Sequence, residues 1–263
     1  MWEPEFLTTR HVIPRSHPRV ESLLIRKKLV DGFDSGLVAR EGLLAQGRGE
    51  AFDYLLGEKT GRPARRAIRA AAATLTLAEF PVISVNGNAA ALCAAELVSL
   101  SMQAGAKLEV NLFYASKKRE QAIVRTLRKC GAQKVLGTSP ASSARLQGMD
   151  SARRMVDRDG ILAADVVVVP LEDGDRTAAL KSAGKTVIAF DLNPLSRTAQ
   201  TAHITIVDNI TRAAGLLAAD IQKIAGKNAK VLHQIVSEFD NRSNLADSIA
   251  QIRGNLARRG GLA

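Results

Sequence analysis

Short apolar runs alternate with longer stretches of helical spacing through the middle of the chain. Runs of this kind, bounded by turn residues, are typical of buried strands. The predicted strands cover residues 82–85, 108–113, 134–136, 165–169, 186–191 and 204–207. The predicted helices cover 88–105, 116–130, 175–183 and 209–225. Each of these helices opens near a Ser, Asp or Asn that can cap exposed N–H groups.

The predicted strands are apolar on both faces, as in DVVVV and TVIAF. Such strands need helices on both sides, and crossover helices enforce parallel pairing. The pattern therefore predicts an α/β fold with a doubly wound, mainly parallel sheet.

Helical patterns without strand signals flank this sheet. PARRAIRAAAATLTLAEF precedes it, and its Pro63 suits a first helical turn. KVLHQIVSEF and SNLADSIAQIRGNLARR follow it and predict two packing helices, with a turn at 240–244. We expect a helical N-terminal region over 1–79, a core over 80–225 and a C-terminal helical extension over 226–263, packed as one compact domain.

The positive charge is concentrated in one part of the chain. The 263 residues carry a formal net charge of +11, and residues 107–158 hold 12 basic and 4 acidic side chains. Such an excess suits nucleic acid, a membrane surface or phosphorylated small molecules. Aromatic residues make up only 4%, which provides few platforms for stacking bases.

No apolar run is long enough for a membrane helix, and the charged, proline-containing N-terminus does not resemble an export signal. We therefore expect a cytoplasmic protein. Cys93 and Cys130 are expected to be inert thiols.

Polar residues follow most of the predicted strands. In an open parallel sheet, ligands bind outside the carboxyl ends of the strands, so these residues are expected to converge. They are Asn86-Gly87-Asn88, Asn111, 172–177, 191–198 and Asp208-Asn209.

The sequence lacks a G-x-G-x-x-G fingerprint, a Walker loop, a G-x-S-x-G elbow and zinc-ligand spacing among its histidines. Other residues offer phosphate and nucleotide contacts. Gly47 and Gly49 would present Arg48 from a loop, close to a phosphate. Asp191 and Asn193 suit ribose or base, whereas Arg197 and Thr198 suit phosphate. Asp173 and Asp175 suit Mg²⁺ or an amine. Ordinary turns are the structural alternative for each of these segments.

Several longer blocks closely resemble the archaeal phosphopantothenate synthetase family, also called 4-phosphopantoate–beta-alanine ligase. The blocks are SHPR (16–19), GRGEAFDY (47–54), PVISVNGN (81–88), KLEVNLFY (107–114), PLEDGDRT (170–177), DLNPLSRTA (191–199) and ITIVDNI (204–210). The resemblance implies a Rossmann-like core and a homodimer that acts on small molecules, not on nucleic acid or a membrane. It also implies that ATP, with Mg²⁺, activates 4-phosphopantoate as an acyl-adenylate. Beta-alanine then opens the adenylate to give 4'-phosphopantothenate in coenzyme A biosynthesis.

The resemblance also implies site residues. The ATP contacts would be Arg26, Arg48, Asp191, Leu192, Asn193, Arg197, Thr198, Asn209 and Ile210. The phosphopantoate contacts would be Asn86, Asn88, Asn111 and Arg154, with Arg19 as a further phosphate ligand. Arg48, Asp173 and Asp175 are the catalytic candidates, the two aspartates handling metal or beta-alanine.

The chain departs from the family pattern at two positions. Gln46 stands where a His is expected before GRGE, and Cys130 stands where a His or Tyr is expected. Two other functions stay open at this point. One is a ligase for unphosphorylated pantoate or another small acid, and the other is a non-catalytic nucleotide-binding module.

Overall fold

The computed structural model describes residues 13–14, 16–148, 151–171 and 174–259. Its helices are α1 (Val20–Asp34), α2 (Arg40–Leu56), α3 (Arg62–Leu77), α4 (Gly87–Ala104), α5 (Lys117–Lys129), α6 (Gly174–Ser182), α7 (Arg197–Thr201), α8 (Ile210–Ile224), α9 (Ala229–Ser237) and α10 (Asn241–Arg259). Its strands are β1 (Val82–Val85), β2 (Lys107–Val110), β3 (Val135–Leu136), β4 (Ser143–Arg145), β5 (Met155–Asp157), β6 (Val166–Pro170), β7 (Thr186–Phe190) and β8 (Ile204–Ile206).

Six strands form one parallel sheet in the order β3-β2-β1-β6-β7-β8. Counted within this sheet alone, the order is the 3-2-1-4-5-6 of doubly wound folds. The chain proceeds from β1 toward one edge and from β6 toward the other, so a crevice opens between the carboxyl ends of these two strands. The predicted α/β fold with helical flanks is confirmed.

Successive strand residues enter different cores, as strand geometry requires. Ile83 and Val168 join a large core that includes residues of α3, α4 and α8. Val82 and Val167 join a second core on the other face, with residues of α6 and of the segment between Leu146 and Ile161. Each fully buried valine or isoleucine contributes about 1.5–3 kcal/mol, so burial on both faces holds the sheet in place.

The flanking helices pack onto these cores. Helix α3 is buried along most of its length and contacts α8 and α9, while α10 contacts α2 and α3. None of the described helices is long and apolar enough to cross a membrane.

Two local predictions are wrong at their boundaries, and one pair of strands was not predicted. Strand β2 ends at Val110, not at residue 113, because the Asn111 side chain turns to bond another segment. The predicted turn at 240–244 comes too late: the Ser243 N–H donates to the Asp240 carboxylate at 2.7 Å, and α10 already begins at Asn241. The antiparallel pair β4–β5 was missed because three-residue strands carry too little pattern.

Arg48 lies inside α2, not in a loop. The glycines on either side of it cost a helix interior about 1 kcal/mol each, which tertiary packing can outweigh. The helix instead ends at Leu56, where Gly57 adopts a left-handed φ of 91°. Arg48 is therefore presented by a regular helix whose other face is packed.

Candidate functional site

A cavity of about 670 Å³ opens at the carboxyl edge of the parallel sheet. Its walls come from α2, the start of α4, the segment after β2 and the loop between β7 and α7. These segments meet at the crevice where the strand order predicts a ligand. Eight of the sequence-predicted site residues line the cavity: Arg48, Asn86, Asn88, Asp191, Leu192, Asn193, Arg197 and Thr198.

The loop after β7 is held in shape by its own side chains. The Asp191 carboxylate accepts hydrogen bonds from the Asn193 N–H at 2.9 Å and from the Ser196 hydroxyl. The Asn193 side chain accepts from the Leu195 N–H at 2.9 Å, and Ser196 caps α7 by accepting from the Ala199 N–H at 2.9 Å. Asx turns and a helix cap of this kind fix a loop locally. One cavity wall is therefore preorganised.

Arg48 faces this wall. Burial raises the pKa of Asp191, while the Ser196 hydroxyl, the Asn193 N–H and the charge of Arg48 act in the opposite direction. The Arg48 side chain is exposed on α2 and lines the cavity. An exposed guanidinium beside a buried carboxylate can contact an anionic ligand without first leaving a buried ion pair.

The second cation of this region, Arg197, is paired at the surface. Arg197 Nη2 lies 2.8 Å from Asp175 Oδ1, and both side chains are 76% exposed. Thr198, the next residue in the chain, is buried. Asp173, the other predicted catalytic carboxylate, lies outside the described residues.

Asn86 ties together the two strands that flank the crevice. It follows β1, and its side-chain N–H donates to the Pro170 carbonyl of β6 at 2.8 Å. Its side-chain oxygen caps α4 by accepting from the Ala89 N–H at 2.9 Å. Leu171, the next residue after β6, has a φ of 52°, a left-handed conformation that is strained for a leucine. The Asn86 amide thus holds backbone at the centre of the site.

Asn88 joins α4 to α2. Its side-chain N–H donates to the Gly42 carbonyl at 2.8 Å. A Cβ at Gly42 would lie 2.2 Å from the Asn88 side-chain oxygen, so only glycine permits this approach. The contact brings α2, and with it Arg48, against the start of α4.

Arg119 and Arg153 form a basic wall on the side of β2, together with Phe113 and Tyr114. Arg119 donates to the carbonyls of Leu37 and Tyr114. Burial lowers the pKa of Arg119, and the charge of Glu41 raises it. The guanidinium carbon of Arg153 lies 5.6 Å from the centre of the Phe113 ring, a cation–π contact.

The Arg153 segment is held from below by β2. The Asn111 side-chain N–H donates to the carbonyls of Arg153 at 3.3 Å and Met155 at 2.9 Å. Asn111 is buried and does not line the cavity, and Arg154 is half-buried beside the lining. The structure thus brings Arg153, not Arg154, into the cavity wall.

Glu109, two residues before Asn111 and on the same face of β2, holds the backbone that follows Arg153. Its carboxylate accepts from the Asp157 N–H at 3.0 Å and the Ile161 N–H at 2.6 Å. The side chain is fully buried.

We expect Glu109 to make the unfolding free energy fall as the pH rises from about 5 to about 7. Burial raises the pKa of its carboxyl to about 7. The hydrogen bonds from the Ile161 and Asp157 N–H groups and the charge of Arg176 lower this pKa but do not offset burial. Its ordinary pKa is 4.5, so its stabilising contribution is complete below that pH and is lost as the pH rises through 7, by about 3 kcal/mol. Glu109→Gln has no proton to release. Its denaturant unfolding curves should depend less on pH than those of the unaltered protein, and equal slopes would contradict this expectation.

A second pocket, of about 320 Å³, adjoins the first, and Gln46 lines both. Asp53, Asn209 and Arg212 form a hydrogen-bonded group in its lining. Arg212 Nη2 lies 2.5 Å from Asp53 Oδ1 and 2.6 Å from Asp208 Oδ1. The Asn209 side-chain N–H donates to Asp53 at 2.9 Å. Gln46, one of the two departures from the family pattern, therefore lies between the two pockets.

Arg19 and Arg26 both contact Glu50, which lines the second pocket. The Glu50 carboxylate accepts hydrogen bonds from Arg26 Nε at 2.9 Å and from the Tyr54 hydroxyl at 2.7 Å. Arg19 lies 3.5 Å from Glu50 and contacts Tyr54. Ile210, in contrast, is buried in the large core.

Four site residues were missed from the sequence: Arg119, Arg153, Asp53 and Arg212. Arg119 and Arg153 fall within the basic segment 107–158, where nothing in the sequence distinguishes them from ten other cations. Asp53 falls within GRGEAFDY, but its partner Arg212 lies 159 residues away in the chain. Only the folded chain identifies these pairs.

Within the described ranges, no group of three or more His, Cys, Asp or Glu side chains is arranged to hold a metal ion. The described residues therefore do not provide a complete protein-bound metal centre.

The model of the phosphopantothenate/pantothenate synthetase family matches residues 63–255. A 4-phosphopantoate–beta-alanine ligase from Thermococcus kodakarensis is 50% identical over 247 residues, which cover 94% of each chain. The protein of the same name from Methanosarcina mazei is 49% identical over 244 residues, 93% of this chain and 95% of its own. That from Methanospirillum hungatei is 51% identical over 207 residues, 79% of this chain and 84% of its own. The family model spans the sheet and the helices from α3 to α9, and the chain belongs to the phosphopantothenate/pantothenate synthetase family.

Proposed function

We propose that this chain is an ATP-dependent 4-phosphopantoate–beta-alanine ligase that forms 4'-phosphopantothenate in coenzyme A biosynthesis. The observation that carries the proposal is the cavity at the crevice between β1 and β6, which has cations at both ends and a hydrogen-bonding loop along one wall. The relatives that are named for this activity are about 50% identical to this chain over most of their length. A homodimer is part of the proposal and rests on the family resemblance, and a cytoplasmic location is part of it as the expectation from the sequence.

A carboxylate needs a leaving group before an amine can attack it. In the proposed reaction, a carboxylate oxygen of 4-phosphopantoate attacks the α-phosphorus of ATP, and the bond to the β-phosphate oxygen breaks to release diphosphate. The amine of beta-alanine then attacks the acyl carbon of the adenylate. AMP leaves, the amide forms and the nitrogen loses a proton. Positioning and charge stabilisation can supply most of the catalysis in such a sequence.

The preorganised loop after β7 supports a nucleotide at that end of the cavity. The Asp191 and Asn193 side chains suit ribose hydroxyls and base edges, and Leu192 offers an apolar contact. Arg48, Arg197 and Thr198 suit phosphate oxygens. Arg26 and Asn209, with the backbone at Ile210, would extend the ATP contacts into the second pocket, which Gln46 joins to the first.

Mg²⁺ fits this proposal as an ion carried by the triphosphate, because Mg²⁺ prefers phosphate and water oxygens to an all-protein site. Among the described residues, Asp175 is the carboxylate proposed to contact this ion, and it forms an ion pair with Arg197. Nucleotide binding would compete for that arginine and release Asp175 toward an ion or an amine.

The acid substrate is proposed to lie across the crevice, along Asn86 and Asn88. Their side-chain N–H groups bond backbone carbonyls, so they contribute chiefly by shaping the wall. Asn111 acts on the substrate through the Arg153 segment. Arg154 and Arg19 remain phosphate candidates at the periphery.

The test is product analysis by mass spectrometry with ATP, Mg²⁺, beta-alanine and either 4-phosphopantoate or pantoate. We expect 4'-phosphopantothenate with equimolar AMP and diphosphate. Formation of ADP in place of AMP would show that the intermediate is an acyl phosphate and not an acyl-adenylate. Product from pantoate but not from 4-phosphopantoate would transfer the assignment to the unphosphorylated acid. No product from either acid would refute the ligase.

A further inference from the structure

Gln46 is a buried amide that has no partner in the part of the chain that the structure describes. Only 7% of the residue is exposed, and its side chain makes no hydrogen bond to any described residue. Leaving a buried polar group unpaired costs free energy, so folded proteins rarely do so. Gln46 lines both the cavity and the second pocket. Its amide is therefore available to a molecule bound where the two pockets join.

Helix α2 places Gln46 between two close contacts of its own backbone. Gly42 lies one turn earlier, where the Asn88 side-chain N–H donates to its carbonyl at 2.8 Å. Gly49 lies three residues later, where an added Cβ would lie 3.3 Å from the Leu192 side chain. Residues three and four apart share one face of a helix, and all three of these α2 residues line the cavity. This face is about 10 Å long from Gly42 to Gly49, at about 1.5 Å per residue.

The two contacts mark the two walls of the cavity. Asn88 belongs to the start of α4, along which the acid substrate is proposed to lie. Leu192 belongs to the loop after β7, which is proposed to hold the nucleotide. In the proposed reaction, the carboxylate of the acid and the α-phosphate of ATP meet between these walls. Gln46, near the middle of the α2 face, therefore lies beside the place where the acyl–phosphate bond forms.

The chemistry at that place calls for a neutral hydrogen-bond donor. Negative charge grows on the phosphoryl oxygens as the carboxylate attacks, and on the acyl oxygen as the amine attacks. A preorganised side-chain N–H in a buried wall stabilises such charge as it develops. The amide of glutamine does not titrate, so it can donate in both steps without a change of protonation.

We propose that Gln46 is a catalytic residue whose side-chain N–H donates to the oxygens of the acyl–phosphate junction, first as the adenylate forms and again as beta-alanine opens it. The inference rests on the proposed function. Gln46 lies just before the block GRGEAFDY, at the position where the family pattern has a His. An imidazole also carries a ring N–H donor, so the departure from the pattern preserves the capacity to donate.

The test is Gln46→Met, which keeps an unbranched side chain and removes both polar groups. Formation of 4'-phosphopantothenate gives kcat. Exchange of labelled diphosphate into ATP, with 4-phosphopantoate present and beta-alanine absent, gives the rate of adenylate formation. We expect both rates to fall about 10²-fold, the usual cost of removing one preorganised donor from a developing charge. The Kd of ATP, from calorimetry, should stay within about threefold, because the lost hydrogen bond belongs to the transition state.

The thermal stability of the variant gives a readout that separates catalysis from a structural role. Methionine removes an unpaired polar group from a buried position, so the Tm of the enzyme without substrates should be unchanged or higher. An amide that held the fold together would behave in the opposite way, with Tm and kcat falling together.

Gln121→Met is the matched control. Gln121 lies on α5, is exposed and lines neither pocket, so the same replacement is made away from the site. Its kcat and exchange rate should equal those of the unaltered enzyme. Gln46→His, which returns an N–H donor to the same position, should lose less kcat than Gln46→Met.

Three outcomes would overturn the inference. An unchanged kcat in Gln46→Met would show that solvent alone satisfies the amide. A lower Tm or a weaker Kd for ATP that accounts for the lost activity would assign Gln46 to folding or to nucleotide binding. Loss of ligation with an unchanged exchange rate would remove it from adenylate formation. Failure of the proposed function looks different, because the unaltered enzyme would then make no 4'-phosphopantothenate.

Discussion

Replacing Arg48 by alanine is expected to lower kcat about 10²- to 10³-fold and to leave the fold intact. The estimate is the usual cost of removing one charged or dipolar group that stabilises developing negative charge. Arg48 lines the cavity opposite Asp191, on a helix that is packed on its other side. Its side chain is exposed, so alanine removes little buried surface and also suits the helix. Steady-state kinetics gives the activity, and calorimetric unfolding gives the stability.

Arg40→Ala is the control for this prediction. Arg40 is the first residue of the same helix and is exposed, but it does not line the cavity. Its replacement should leave kcat within about twofold and Tm within about 2 °C, the shift that a few tenths of a kcal/mol produces in a chain of this size. Equal losses of kcat in the two variants, or a large fall in Tm for Arg48→Ala, would remove Arg48 from the catalytic group.

The sheet could be predicted because burial on two faces leaves a direct mark on the sequence. Val166–Pro170 and Thr186–Phe190 are central strands, and a central strand of a doubly wound sheet has no polar face. The polar residues at the edge of the site could also be predicted from the sequence. Asn86, Asp191 and Asn209 each follow a strand and accept a hydrogen bond from the local backbone. Strand ends and helix caps are set within a few residues, so sequence reasoning reaches them.

What sequence reasoning missed depends on contacts between distant segments. The glycines around Arg48 favour a loop locally, and the contacts of α2 with α1, with α10 and with Asn88 of α4 override that preference. Arg153 and Arg154 are equivalent neighbours in the sequence. The bond from Asn111, 42 residues earlier, holds the turn that carries Arg153 at the cavity. Local pattern cannot distinguish the two arginines.

The two ends of the site also differ in how the chain holds them. The loop after β7 is fixed by bonds within six residues, whereas the basic wall is fixed through Asn111 and Glu109 on a buried strand. Substitutions at Glu109 or Asn111 should therefore affect the acid end before they affect the nucleotide end.

Arg212→Met is expected to lower the unfolding free energy by about 3–5 kcal/mol. Arg212 contacts Asp53 and Asp208, which are 5% and 2% exposed. Methionine fills similar space but leaves two buried carboxylates without their shared cation. Denaturant unfolding measures the loss. Arg66→Met provides the control, because Arg66 pairs with Asp247 at the surface, where both side chains are more than half exposed and such a pair contributes about 0–1 kcal/mol.

A second substitution separates lost charge pairing from lost packing. In Asp53→Asn/Arg212→Met, one of the two orphaned charges is gone, while the Asn209 backbone N–H still donates to the Asp208 carboxylate. If uncompensated charge causes the loss, the double variant should be more stable than Arg212→Met by about 1–3 kcal/mol, so the two substitutions would not be additive. If the packing of the arginine stem causes it, the double variant should be no more stable than Arg212→Met. A loss for Arg212→Met as small as that for Arg66→Met would show that the second pocket admits enough water to solvate both carboxylates.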